Sequence, residues 1–213
     1  MLDTPCHGLP EDSLAAARAL ADRDAAAIVV LGGDGTHRVV AKGSGDVPLV
    51  PISTGTNNVW PRRNEGTLAG MAAALVADER VPLENACRRT PRLDVLRDGQ
   101  PIDMALVDVA ACDIPVPGAR AIWDIERIHQ LVLSMAQPGV LGLSAIGGSL
   151  PPPPGDDRRA SVTGDRPGWP AGDGTDRSGF GRTGGDPQRP LARTRRDGRD
   201  HLPPRDTRSR RRT

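Results

Sequence analysis

The chain has 213 residues, enough for one domain or for one domain with part of a second. Its 28 basic and 27 acidic side chains nearly cancel, so the net charge of +1 points to no polyanionic partner. No stretch approaches the ~18 consecutive apolar residues of a membrane helix, and no basic segment followed by an apolar one opens the chain as a secretory leader would. Cys6, Cys87, Cys112 and the four histidines form no metal-ligand spacing. The expectation is therefore a protein with reduced thiols, a cytoplasmic location, no membrane partner and no metal site of its own.

In chain order, Pro10–Asp24 begins with acidic residues and places Leu14, Ala17 and Leu20 on one face, which predicts a helix. Ala25–Leu31 (AAAIVVL) is a short continuous apolar run, the pattern of a parallel strand buried on both faces. Gly32–Thr36 is a turn, and Thr36–Lys42 reads as a helix. Val47–Ile52 (VPLVPI) is a second short strand, and Thr67–Asp78 an Ala-rich helix. Arg92–Arg97 and Ile102–Ala111 flank Asp98-Gly99, a hairpin signal. Ala121–Ala136 carries Ile122, Ile125, Ile128, Leu131 and Val132 at helical spacing and is expected to be amphipathic. His37 and His129 are expected on helix surfaces or in local packing.

Beyond Leu150 the texture changes. Residues 151–213 hold 20 Gly and Pro and neither Lys nor Glu, and 15 basic side chains face 9 acidic ones, whereas residues 1–150 carry 13 basic and 18 acidic. The large apolar residues there, Val162, Trp169, Phe180, Leu191 and Leu202, are too few to offset the ordering of 63 backbones, so a disordered tail is expected. A basic tail that touches nucleic acid, an inert solvated tail and the shifted reading frame of a longer gene all stay open. The stretch lacks RGG repeats and interleaved aromatics, so nucleic acid is not an expected partner.

The segment richest in chemistry is Val29–Pro61, VVLGGDGTHRVVAKGSGDVPLVPISTGTNNVWP. An apolar strand runs into Gly32-Gly33-Asp34-Gly35-Thr36 and then a helix. Glycines let backbone N–H groups approach a phosphate, and a helix N-terminus adds partial positive charge. The spacing is that of neither a Walker loop nor a GxGxxG dinucleotide fold. Asp34 among those glycines suits a base for a substrate hydroxyl or a magnesium-linked group, with simple turn formation as the alternative. Thr54-Gly55-Thr56-Asn57-Asn58 follows the next strand, at the sheet edge where open α/β folds bind ligands. Its hydroxyl and amide groups suit phosphates, ribose or a hydrated metal.

GGDGT followed by PISTGTNNVWP resembles the ATP-NAD kinase/acetoin-catabolism protein X family, its acetoin-X branch in particular. The resemblance runs over roughly residues 11–150 and includes ALVDVA at 105–110, GARAIWD at 118–124 and GLSAIGG at 142–148. It implies an N-terminal α/β domain, a C-terminal β-sandwich and nucleotide sites in the cleft between them. It further implies ATP with magnesium as cofactors, NAD as an acceptor, Asp34 as the base that activates the acceptor hydroxyl, and Gly32, Gly33, Gly35 and Thr36 as the phosphate loop. It implies as well that Thr54, Gly55, Thr56, Asn57 and Asn58 bind the cofactor, with Asn57 and Asn58 lining the pocket. Asp108 stands where NAD kinases have the Glu of a substrate-binding Asn-Glu pair, and Val107 stands where they have the Asn. Asn64-Glu65 also reads as such a pair but opens a helix, where capping explains it.

The resulting expectation is an α/β fold: a Rossmann-like parallel sheet over residues 1–101, the start of an incomplete β-rich domain over 102–150, and the disordered tail over 151–213. On the family pattern the chain reads as shortened at both ends. The expected function is NAD kinase-like phosphoryl transfer from ATP to a hydroxyl, linked to acetoin catabolism. A lipid kinase of the diacylglycerol or sphingoid type shares GGDGT and a similar second loop and is the alternative, together with an inactive, poorly soluble fragment. The partner is a nucleotide, and a homo-oligomer stays open.

Overall fold

The computed structural model describes residue 4 and residues 6–113, 127–135, 139, 142–148, 160–163 and 191–194. Helix α1 spans Pro10–Ala21. Pro10 occupies its first position, where a missing N–H costs nothing. The Asp12 carboxylate reaches back to accept from the backbone N–H groups of His7 at 2.7 Å and Leu9 at 3.1 Å. Strand β1 (Ile28–Gly32) pairs in parallel with β2 (Leu49–Ser53), and helix α2 (Asp34–Gly43) connects them. Ala17, Ile28, Val30 and Val40 form the core between these elements, joined by Leu20, Val47 and Leu49. A Cβ on Gly43 would lie 2.8 Å from the Leu14 carbonyl oxygen, so a glycine lets α1 and α2 meet this closely.

Helix α3 (Gly66–Ala77) follows, with Glu65 as its N-cap accepting from Leu68 N at 3.1 Å, as the capping reading of Asn64-Glu65 expected. After the short α4 (Leu83–Ala86) the chain becomes antiparallel. β3 (Leu93–Arg97) and β4 (Gln100–Ala105) form the expected hairpin. Asp98 at φ 51° and Gly99 at φ 79° make the tight turn that Asp-Gly favours. β5 (Asp108–Cys112) pairs with β6 (Ile128–Leu133). Helix α5 covers Leu143–Gly148. Two further strands, β7 (Ala160–Thr163) and β8 (Leu191–Thr194), complete three-stranded sheets of order β5-β6-β7 and β4-β3-β8.

Four expectations change. The parallel sheet has two strands among the described residues, too few for a doubly wound Rossmann-like sheet. β1 is buried on one face only. Ile28, Val30 and Gly32 are covered, but Val29 is 42% and Leu31 63% exposed, and α3 likewise leaves Leu68, Met71 and Leu75 exposed. Of the helix expected over 121–136, residues 128–133 form β6; residues 121–126 and 136 lie outside the described residues, as does the GARAIWD stretch. Pairing with β5 on one side and β7 on the other overrides the helical spacing of its apolar residues. The expected second arm of the hairpin is two strands, split at Leu106–Val107, where β5 leaves for the other sheet.

Disorder beyond residue 150 is corrected at two stretches, β7 and β8, while the rest of 151–213 lies outside the described residues. Both add backbone ladders to existing edges, Leu131↔Val162 and Val95↔Ala192 among the pairs. A strand that docks onto a formed edge needs no core of its own, which is why composition failed to reveal it.

Candidate functional site

The two polar loops leave neighbouring strand ends. Gly32 ends β1, Gly33 caps α2, and Asp34 is the first helical residue. Ser53 ends β2, and Thr54 N donates to the Gly32 carbonyl at 3.3 Å, which ties the start of the second loop to the first. The second loop closes on itself: Ser53 N donates to the Arg62 carbonyl at 2.9 Å, and Ile52 and Arg62 form an isolated parallel bridge.

Between the loops the contacts are polar and specific. The Asp34 carboxylate accepts from Val59 N (3.0 Å to Oδ2) and from Trp60 N (2.8 Å to Oδ1). In return Asp34 N donates to Asn58 Oδ1 at 3.3 Å, and Asn58 Nδ2 donates to Ser53 Oγ at 2.8 Å. The Asn58 amide thus sits between both loops. A Cβ on Gly33 would come within 2.9 Å of Asn58 Oδ1, and one on Gly55 within 2.7 Å of Asn58 Nδ2. A Cβ on Gly32 would strike the Thr36 side chain at 2.6 Å. Of the four loop glycines, Gly35 alone has open space beside it. At the other three the demand for glycine comes from the protein's own side chains.

His37, expected on a surface or packed locally, is fully buried. Its Nδ1 lies 2.8 Å from the Gly33 carbonyl oxygen, and its ring centroid lies 5.4 Å from that of Trp60. It therefore packs between the residue before Asp34 and a residue that donates to Asp34.

The antiparallel region meets this site through an apolar contact. Met104, Leu106 and Val107 are buried and pack with Ala41, Val59 and Trp60. Arg38 Nε donates to the Met104 carbonyl at 2.6 Å, its guanidinium pairs with Asp103, and Lys42 Nζ sits 2.5 Å from Asp103. Burial acts to raise the Asp103 pKa, but the hydrogen bonds from Lys42 and Met104 N and the charges of Arg38 and Lys42 outweigh it and hold the carboxyl below its ordinary value. The docking brings Asp108, the first residue of β5, within electrostatic reach of Asp34. Its pKa is pushed up to about 6, first by burial and then by the Asp34 charge.

Beside the second loop lies a pocket of about 290 Å³, lined by Ser53, Gly55, Thr56, Asn58, Arg62 and Arg63, with Val59 and Pro61 as its apolar members. Thr54, Thr56 and Asn57 are exposed. The structure places Asn58 and Asp108 beside Asp34, packs Gly32, Gly33 and Gly55 against side chains, and leaves Thr54 and Asn57 out of the pocket lining. Ser53, Trp60, Arg62 and Arg63, which the sequence reading did not single out, stand beside these residues, as does His37. The Arg62-Arg63 pair directly after the loop was the one visible signal. Among the described residues no three or more His, Cys, Asp or Glu side chains cluster to hold a metal, and no helix is long and apolar enough to cross a membrane.

Two family models match this chain in sequence. The ATP-NAD kinase N-terminal domain covers residues 3–80, and the acetoin catabolism protein X C-terminal domain covers residues 91–164. Over these two segments the chain is similar to the ATP-NAD kinase/acetoin catabolism protein X family. Acetoin catabolism protein X of Cupriavidus necator is 44% identical over 155 residues, which cover 71% of this chain and 43% of that protein. The chain therefore spans less than half the length of the curated relative it matches. No solved structure gives a significant match. The C-terminal family model runs to residue 164, past the change of texture at residue 150 and through β7.

Proposed function

We propose that this protein is a NAD kinase-like nucleotide-binding protein whose reaction is phosphoryl transfer from ATP to a hydroxyl, in the cytoplasm and in connection with acetoin catabolism. The observation that carries this reading is the lock between the GGDGT and TGTNN loops, with Asp34 at its centre and Asp108 beside it. Phosphoryl transfer is mainly a matter of positioning and charge, and a pair of loops fixed to one another by backbone bonds is a positioning device.

In this reading the acceptor hydroxyl approaches the two carboxylates. The N–H groups of Val59 and Trp60 hold the Asp34 carboxylate in one orientation, and its remaining lone pairs face the acceptor as the base expected from the family. Asp108, with its pKa near 6, is an alternative proton acceptor close to neutral pH. Magnesium commonly keeps several waters and takes one or two carboxylates beside the phosphates. Asp34 and Asp108 fit that demand, and the ion would neutralise phosphate charge. Val107, at the position of the NAD kinase Asn, is buried against the loop cluster, so its side chain serves packing rather than acceptor binding.

The test is ATP-dependent transfer to NAD, and to diacylglycerol in parallel, with ATP binding measured separately. Asp34→Asn should bind ATP but lose transfer. Undiminished turnover in that variant overturns the assignment of Asp34. Transfer to diacylglycerol in place of NAD would favour the lipid-kinase alternative, and no ATP binding by the unaltered chain would sink the nucleotide reading.

A further inference from the structure

The pocket beside the second loop has a charge pattern that the glycine-loop reading leaves unused. Two arginines, Arg62 and Arg63, are among its lining residues, and none of those residues is acidic. The arginines do not stand on loose chain. The Arg62 carbonyl accepts from Ser53 N at 2.9 Å, and Arg62 forms a bridge with Ile52, so its backbone is fixed beside the end of β2. Arg63 extends back across the loop, with its guanidinium 3.4 Å from the Gly55 carbonyl. Thr56, which carries a hydroxyl, and Asn58, which carries an amide, also line the pocket.

The rest of the neighbourhood sharpens the sign. The Asp34 carboxylate is turned onto the amides of Val59 and Trp60 and is not among the lining residues. Val59 and Pro61 are the pocket's apolar members, and no aromatic ring lines it. A flat base would find no stacking partner there, whereas a chain of phosphates would meet two forked cations, a hydroxyl and an amide. Guanidinium groups bind phosphate oxygens through paired, charge-assisted hydrogen bonds.

We infer that the pocket of Arg62, Arg63, Ser53 and Thr56 is a binding site for the phosphate chain of a ligand, with the two arginines as its specificity-determining cations. This rests on the phosphoryl-transfer reading of the neighbouring loops and adds to it: selection for a polyanion lies in the Arg62-Arg63 pair, and the glycine loop serves mainly to pack the site. Recognition is of the phosphate chain itself, so an inorganic polyphosphate and a nucleoside triphosphate should enter alike.

The experiment is calorimetric titration of the full chain with sodium tripolyphosphate, ATP and adenosine at low and at moderate salt. Tripolyphosphate and ATP should bind, adenosine should not, and added salt should weaken both anions. The double variant Arg62→Ala/Arg63→Ala should weaken tripolyphosphate by roughly tenfold or more, and Arg62→Lys/Arg63→Lys should recover part of that loss, with unchanged circular dichroism in both. Failure of the unaltered chain to bind tripolyphosphate overturns the inference, as does a folded alanine variant that binds it as tightly as the parent. If ATP binds where tripolyphosphate does not, the inference falls and the nucleotide reading stands. If tripolyphosphate binds in an Arg-dependent way and ATP does not, the phosphate site stands and the nucleotide reading falls.

Discussion

The α/β region and the antiparallel region are held together by different means. The first has a core of four small or medium residues, Ala17, Ile28, Val30 and Val40, all on one side of β1. Its loops are fixed by polar atoms: an aspartate on two amides and an asparagine between two strand ends. The second region buries several leucines almost completely, with Leu93, Leu131 and Leu133 all at 2% exposure or less. The difference separates two tasks. Apolar packing in the antiparallel sheets makes a platform that places Asp108, while polar contacts in the α/β region hold the groups that would meet a ligand.

If that division is right, truncating a core residue of the platform should have the largest effect. Leu93→Ala empties a fully buried site and should cost about 2–5 kcal/mol of stability, read as a lower denaturation midpoint. A loss well below that range would mean that the platform relaxes around the gap. Asp34→Ala comes next. It leaves the Val59 and Trp60 amides without their acceptor and should cost about 2–3 kcal/mol in the same assay. An unchanged midpoint would show that water replaces the carboxylate and that the loops are not locked through it.

Asp108→Asn tests the contact between the regions. The Asp108 pKa of about 6 lies above that of an unfolded aspartate, so the folded state binds the proton more tightly. Its stabilising contribution is fully present below about pH 4 and is lost as pH rises through 6. The parent should therefore lose on the order of 1–3 kcal/mol between pH 4 and pH 7 from this group, and the variant should show a flatter profile. Identical profiles would mean that Asp108 is better solvated than its burial indicates. The smallest effect belongs to Glu65→Ala at the α3 N-cap, about 0.5–1 kcal/mol. Because Glu65 lies outside both cores, that change should leave the Asp108 profile untouched.

Much of this was legible because it is local. The Asp98-Gly99 hairpin, the Pro10 start of α1, the Glu65 cap and the two polar loops at strand ends are each written in a few adjacent residues. What escaped depended on distant neighbours. Ile128–Leu133 has helical spacing, yet β5 and β7 make it a strand. The run Ala25–Leu31 suggested cover on both faces, but Val29 and Leu31 stay exposed, which depends on elements distant in the chain. The part of Asn58 in joining the loops depends on Asp34, which lies 24 positions away. The strands at 160–163 and 191–194 take their order from β6 and β3, which composition alone does not register.

The position of Asn58 also limits how these loops can change over time. Gly33 and Gly55 belong to different loops, yet both abut the same amide. A bulkier residue at either glycine displaces one shared side chain, and a different residue at 58 unsettles both turns together. Substitutions in the GGDGT and TGTNN segments should therefore be inherited as sets, and a transplant of one segment from a relative should succeed only when its counterpart travels with it.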